Sequence, residues 1–141
     1  MAVNKMTRIL SDKIRYPKSV LDKLGVKPDS KVAVLGVKDD TFLKQLHDRT
    51  ADVSEGRLRK NLDLLFFSAD SYSELAKLAR LKGYLKRNAA IWVVSLKGKQ
   101  ARIKDVDVIA AAIKAGMVDI KVVSFSDAHT ALKLVIPIAK R

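Results

Sequence analysis

Apolar residues in this chain collect in short unbroken runs, separated by stretches whose apolar positions recur at helical spacing. The run at residues 31–37 is apolar without alternation, the pattern of a strand covered on both faces in a parallel sheet. Residues 62–68 and 90–96 repeat it. Asp39-Asp40-Thr41 caps a predicted helix over Phe42, Leu43 and Leu46, since short acidic or hydroxyl side chains accept the first free backbone N–H groups. A second helix is predicted to start at Asp70-Ser71, with Glu74 completing a capping box. It runs through Leu75, Leu78, Ala79 and Leu85 to Asn88, with Gly83 dividing it. A third starts at Asp105, lays Val106, Val108, Ile109, Ala112 and Ile113 along one side, and closes at Gly116.

The remaining elements are shorter. Pro17 opens a helix through Val20, Leu21 and Leu24 that Gly25 ends, and residues 27–30 form a turn. Residues 51–54 read as a short edge strand and residues 55–61 as a polar loop. Strands at 120–125 and 132–138 are joined by Ser126-Asp127-Ala128-His129-Thr130, short enough for an antiparallel pair. Strands alternating with helices predict an α/β fold: a parallel sheet with right-handed crossovers and helices on both faces. With no linker and no internal repeat, a single domain over residues 1–141 is expected, with residues 1–15 a lead-in arm and 16–141 the core.

Composition narrows the function classes. The chain has 141 residues, 48% hydrophobic, with six Gly, three Pro and no Cys. Disordered and low-complexity classes are excluded by the apolar content, and disulfide, thiolate and cysteine–zinc chemistry by the missing cysteines. The longest apolar run, Ala89 to Val94, is far shorter than the ~18 residues a membrane span needs. The start lacks an apolar signal core, so a soluble cytoplasmic protein is expected. Lys plus Arg number 28 against 15 Asp plus Glu, a net charge of +13, which favours nucleic acid or another polyanion as partner. The charge is spread along the chain without a basic tail; the densest acid-free segment is Lys77, Arg80, Lys82, Lys86 and Arg87. A solvated helix face accounts for that segment at least as well as a binding stripe.

Several blocks carry a resemblance. Tyr16-Pro17, Leu21, Lys23-Leu24-Gly25-Val26-Lys27-Pro28 and Val32-Ala33-Val34-Leu35 resemble the opening of a family of uncharacterised bacterial proteins. Asp63-Leu64-Leu65-Phe66-Phe67, Leu85-Lys86, Ala90-Ile91-Trp92-Val93 and residues 115–122 resemble its later blocks. The resemblance spans about residues 16–138; its motifs are structural and carry no activity. It implies a shortened methyltransferase-like Rossmann sheet whose last two strands form a hairpin at one edge. The fold expected is therefore a three-layer Rossmann-like α/β domain, with a mostly parallel sheet of five to six strands and an antiparallel C-terminal edge pair. Residues 132–138 are then an apolar edge through which a homo-oligomer could form, unless Lys133 and Pro137 guard it.

In such a sheet a ligand sits beyond the carboxyl ends of the strands. The candidates there are Gly36 and Lys38 after the first strand, Ser68 and Asp70 after the second, and Lys97, Lys99 and Arg102 after the third. A bound S-adenosylmethionine or dinucleotide wants several glycines after the first strand and an acid holding the ribose hydroxyls. Gly36 is followed by Val37-Lys38, and Glu55, nineteen residues on, is a weak match to the ribose acid. Cofactors are accordingly expected to be none, with S-adenosylmethionine as the alternative. The basic run Lys97-Gly98-Lys99-Gln100-Ala101-Arg102 enters a helix and suits a phosphate, helped by Lys38, although Asp105 already occupies that helix start. His47 and His129 have no metal-ligand spacing, so no metal is expected. Ser126, Asp127 and His129 crowd one turn too tightly for a catalytic triad. The reading is a non-catalytic binding module for an anionic ligand or a protein partner. The alternatives are a degenerate S-adenosylmethionine-binding methyltransferase-like protein and a basic nucleic-acid binder.

Overall fold

The computed structural model describes residues 19–141; the expected lead-in arm and the break at Tyr16-Pro17 lie outside the described residues. The first helix, α1 (Val20–Lys23), is capped by the Ser19 hydroxyl, which accepts the Asp22 N–H at 3.2 Å. Strand β1 (Val32–Leu35) follows, then α2 (Asp40–Arg49), where the Asp39 carboxylate accepts the Phe42 N–H at 3.0 Å. Then come β2 (Val53–Glu55) and β3 (Leu62–Ser68). The Ser71 hydroxyl caps α3 (Tyr72–Leu75), while Glu74 reaches back to the Asp70 N–H at 2.8 Å. Helix α4 (Leu78–Leu81) and a 3₁₀ turn (Lys82–Tyr84) lead into β4 (Leu85–Leu96). A second 3₁₀ turn (Gly98–Gln100) precedes α5 (Asp105–Lys114), and β5 (Val118–Ser124) and β6 (His129–Val135) form the closing hairpin.

The six strands lie in the order β2-β1-β3-β4-β6-β5. Strands β2, β1, β3 and β4 are mutually parallel, and β6 runs antiparallel to both β4 and β5. Side chains of the inner strands alternate between two cores. One face buries Phe66 and Trp92 under α1 and α2, together with Leu24, Phe42 and Leu46. The other buries Leu65, Ile91 and Leu134 with Leu78, Val108 and Met117 from the helical segments and loops beyond. Burial on both faces is why these strands carry continuous apolar runs.

The structure departs from the sequence reading at five places. The predicted helix through Leu85 breaks into two single turns, and Leu85 opens β4 by pairing with Leu62. Asn88 therefore lies within a strand, in an irregular segment where the register jumps from Leu62↔Leu85 to Leu64↔Ala90. Asp107, not Asp105, caps α5, its carboxylate accepting the Lys104 N–H at 2.8 Å. Strand β2 ends at Glu55, placing that residue in the sheet rather than in a loop. The C-terminal edge is β5; the strand containing Leu132 lies between β4 and β5, and it ends at Val135. An interface through residues 132–138 as a free edge is thereby removed, because both sides of β6 are already hydrogen-bonded.

Candidate functional site

The carboxyl ends of β1, β3 and β4 and the turn of the β5–β6 hairpin meet at one end of the sheet. They bound a cleft of about 540 Å³, lined by Gly36, Lys38, Ser68 and Val94 on one side and by Phe125 and Asp127 on the other. Strand order reverses between β1 and β3, since β1 leads outward through α2 to β2 while β3 lies on its other side. This is the switch point at which an open α/β sheet takes its ligands.

Gly36 carries the local geometry. Its φ is +80°, and a Cβ built there would lie 3.3 Å from the Cβ of Ser68. Only glycine meets both conditions without strain, so β1 and β3 can close up at the switch point. Val37 is 8% exposed and packs into the core with Phe42 and Leu46, which leaves Lys38 and the helix-capping Asp39 as the polar side chains at this lip. The hairpin wall is held locally. The Ser126 hydroxyl accepts the His129 N–H at 3.2 Å and sits 3.4 Å from His129 Nδ1. Those are turn bonds of the kind Ser commonly forms.

Glu55 stands at the end of β2, one residue past the Ala33↔Ser54 pair, with Val34 as its partner on β1. Its carboxylate is half exposed and lies 2.5 Å from His47 Nε2, on the exposed side of α2. Glu55 lies beside the end of β1 on its β2 side and does not line the cleft. The spacing in the sequence points to Glu55, whereas His47 enters the sequence reading only as a metal-ligand candidate without the spacing for it. Eight residues separate the two, and a helix returning along the sheet is needed to bring them together.

The other candidates divide. Gly36, Lys38 and Ser68 line the cleft. Asp70 turns away, its carboxylate accepting the Leu96 N–H at 2.8 Å and tying the end of β3 to that of β4. Lys97 is drawn to the hairpin: its ammonium donates to the Ser124 hydroxyl at 2.8 Å and its N–H to the Ala128 carbonyl at 3.0 Å. Lys99 and Arg102 are exposed on the next turn. None of Lys97, Lys99 and Arg102 lines the cleft, so the basic run and Lys38 do not form one site. Phe125 and Ala128, which do wall the cleft, escaped the sequence reading. Their signal was available, because an antiparallel closing hairpin must bring its turn back to the carboxyl ends.

Comparison with known proteins bears on the fold. No family model matches the sequence, and no curated protein does. Among solved structures, the pyocyanin biosynthetic protein PhzM superimposes with a TM-score of 0.62 at 8% identity, over 84% of this chain. CalO1, a methyltransferase of calicheamicin biosynthesis in its SAH-bound form, gives 0.63 at 11% identity over 84% of this chain. The fold is methyltransferase-like. This chain spans about half the length of both, 54% and 52%. A chain from the complex between the Haloferax volcanii Trm112 methyltransferase activator and a methyltransferase gives 0.61 at 13% identity, over 84% of this chain and 86% of its own. The six-stranded sheet with its antiparallel edge pair is therefore a Rossmann-like sheet of the methyltransferase type. Among the described residues no helix is long and apolar enough to cross a membrane.

Proposed function

We propose that this chain is an adenosyl-binding protein, taking S-adenosylmethionine or its demethylated product where β1 and β2 end. The observation that carries the reading is the placement of Glu55, a half-exposed carboxylate on the strand beside the Gly36 turn. A carboxylate there accepts both ribose hydroxyls, and a turn without a Cβ lets backbone close against the ligand. The residues fit such a group better than their order in the sequence suggests. Val37 occupies a position where a glycine would be usual, but its side chain is spent in the core. His47 holds the Glu55 carboxylate from one side and leaves its second oxygen open to hydroxyl donors. Lys38 supplies an ammonium at the lip for the carboxylate of the amino-acid moiety, while the Asp39 carboxylate beside it is engaged with the Phe42 N–H. When bound, S-adenosylmethionine would supply a methyl on its sulfonium sulfur; the proposal covers binding and assigns no catalytic residue.

A thermal-shift titration with S-adenosylmethionine and its demethylated product, with ATP and NAD alongside, tests this. At a hundred times its dissociation constant a ligand stabilises the native state by about 2.7 kcal/mol, several degrees for a domain of this size. The expected result is a saturable shift with an adenosyl ligand, weakened about tenfold or more by Glu55→Gln. Absence of a shift with both ligands at millimolar concentration, or unchanged affinity in the variant, rejects the reading.

A further inference from the structure

A second cleft, of about 550 Å³, opens at the opposite pole, where the parallel strands begin. Its walls come from the loop after α1, the start of β3, the irregular first half of β4, the β5–β6 pair and the C-terminal turn. Four cationic side chains line it, Lys27, Lys86, Lys133 and Arg141, against two carboxylates, Asp29 and Asp63. Asp63 is already committed, to the Lys86 ammonium at 2.9 Å and the Lys31 N–H at 2.8 Å. The cleft is left with a surplus of positive charge.

Lys133 is the sharpest part of that surplus. It pairs directly with Lys121 across β5 and β6, and with Trp92 across β6 and β4. Both ammonium groups lie over the one indole, at 5.8 Å for Lys133 and 5.9 Å for Lys121. Like charges directly opposite on a sheet repel, and the shared ring attracts both without neutralising either. Among the described residues neither lysine forms an ion pair. Burial and the Lys121 charge lower the pKa of Lys133. A charge held half-buried, doubled, and without a counter-ion beside an open polar cleft is arranged to be neutralised by an anion.

We propose that this cleft binds a phosphate group, with Lys133 and Lys27 as its principal contacts. Cations from separate elements surrounding the space suit the spread oxygens of a phosphate better than a single carboxylate. Ser30 and Asn88 add neutral polar groups to the lining. Trp92 is 0% exposed, so no base can stack on it, and the contact is with phosphate alone, independent of nucleotide sequence. The source is either a small phosphate or the backbone of a nucleic acid, to which the net charge of +13 lends itself.

The molecule carries its own reporter, because Trp92 is the only tryptophan in the chain. Its emission is followed while wild type, Lys133→Gln and Lys27→Gln are titrated with inorganic phosphate, pyrophosphate and a short single-stranded oligonucleotide. Melting curves establish that each variant is folded. A saturable change in emission is expected in wild type, with affinity about tenfold weaker in either variant. Response to the small anions at concentrations comparable with the oligonucleotide assigns a free phosphate. A response confined to the oligonucleotide assigns a backbone, with a salt slope that falls by about 1 in each variant. The proposal is overturned if no ligand alters Trp92 emission, or if folded Lys133→Gln binds as tightly as wild type.

Discussion

Replacing Trp92 by Phe tests how the first helix is fastened to the sheet. Trp92 is fully buried on β4, and its indole N–H donates to the Leu24 carbonyl at the end of α1, at 3.0 Å across 68 residues of chain. The helix itself is only four residues long, too short to be stable alone, so its place depends on what it touches. Two costs follow from the substitution. The smaller ring leaves a void of about 40 Å³, worth roughly 1 kcal/mol at about 24 cal/mol per Å³. The Leu24 carbonyl loses its donor in a buried setting, costing about 1–3 kcal/mol more. The sum is about 2–4 kcal/mol, or a fall in Tm of roughly 6–15 °C for a domain of this length. Equilibrium denaturation of the two proteins measures it directly. Benzothienylalanine at the same position keeps the ring's shape and removes only the N–H, so it isolates the second cost. A Phe variant within about 0.5 kcal/mol of wild type, or a benzothienylalanine variant as stable as wild type, would refute the reasoning.

Arg59→Ala should loosen the β2 edge, because Arg59 donates to the Ser54 hydroxyl at 3.1 Å and to the carbonyls of Val32 at 3.1 Å and Asp52 at 3.3 Å, and pairs with the Asp52 carboxylate. A loss of about 1–3 kcal/mol is expected, with faster hydrogen exchange confined to β2 and its neighbours; unchanged exchange there would exclude this clamp. Asp63 supplies a pH dependence. Burial alone would raise its pKa, but the Lys31 N–H and the Lys86 ammonium outweigh that and hold it below the ordinary value. A carboxylate with a lowered folded pKa stabilises above its unfolded pKa and loses that contribution as pH falls through the folded value. Asp63→Asn should therefore be less stable than wild type at pH 7, with the gap narrowing below about pH 4. Denaturant melts at both ends of that range check it, and a gap that does not change with pH would count against the role.

The α/β order, the three continuous inner strands and the capped starts at Asp39 and Ser71 were all legible in the chain. Each rests on a few neighbouring residues: an apolar run, or an oxygen three positions ahead of a free N–H. Gly36 was legible too, as the sole glycine after the first strand, and so was the spacing to Glu55. Other features waited for long-range pairing. Leu85 carries helical periodicity with Leu75 and Leu78, yet Leu62 on β3 draws it into a strand. Residues 132–138 look like a free apolar edge until β5 pairs along β6 and takes the edge itself.

The same division holds for the two clefts. The residues before and after a strand are set by the sequence, so the switch-point candidates could be named in advance. Which of them share a cavity could not, because Asp70 and Lys97 are turned aside by hydrogen bonds to Leu96 and Ser124. At the opposite pole Lys27 and Lys133 stand 106 positions apart, and only the packing of α1 and β6 against β4 makes them neighbours of one space. Local hydrogen bonding and hydrophobic period are written in adjacent residues and determine most of the elements, Leu85 excepted. Strand register and the convergence of distant charges depend on how those elements pack, and these the tertiary structure alone decided.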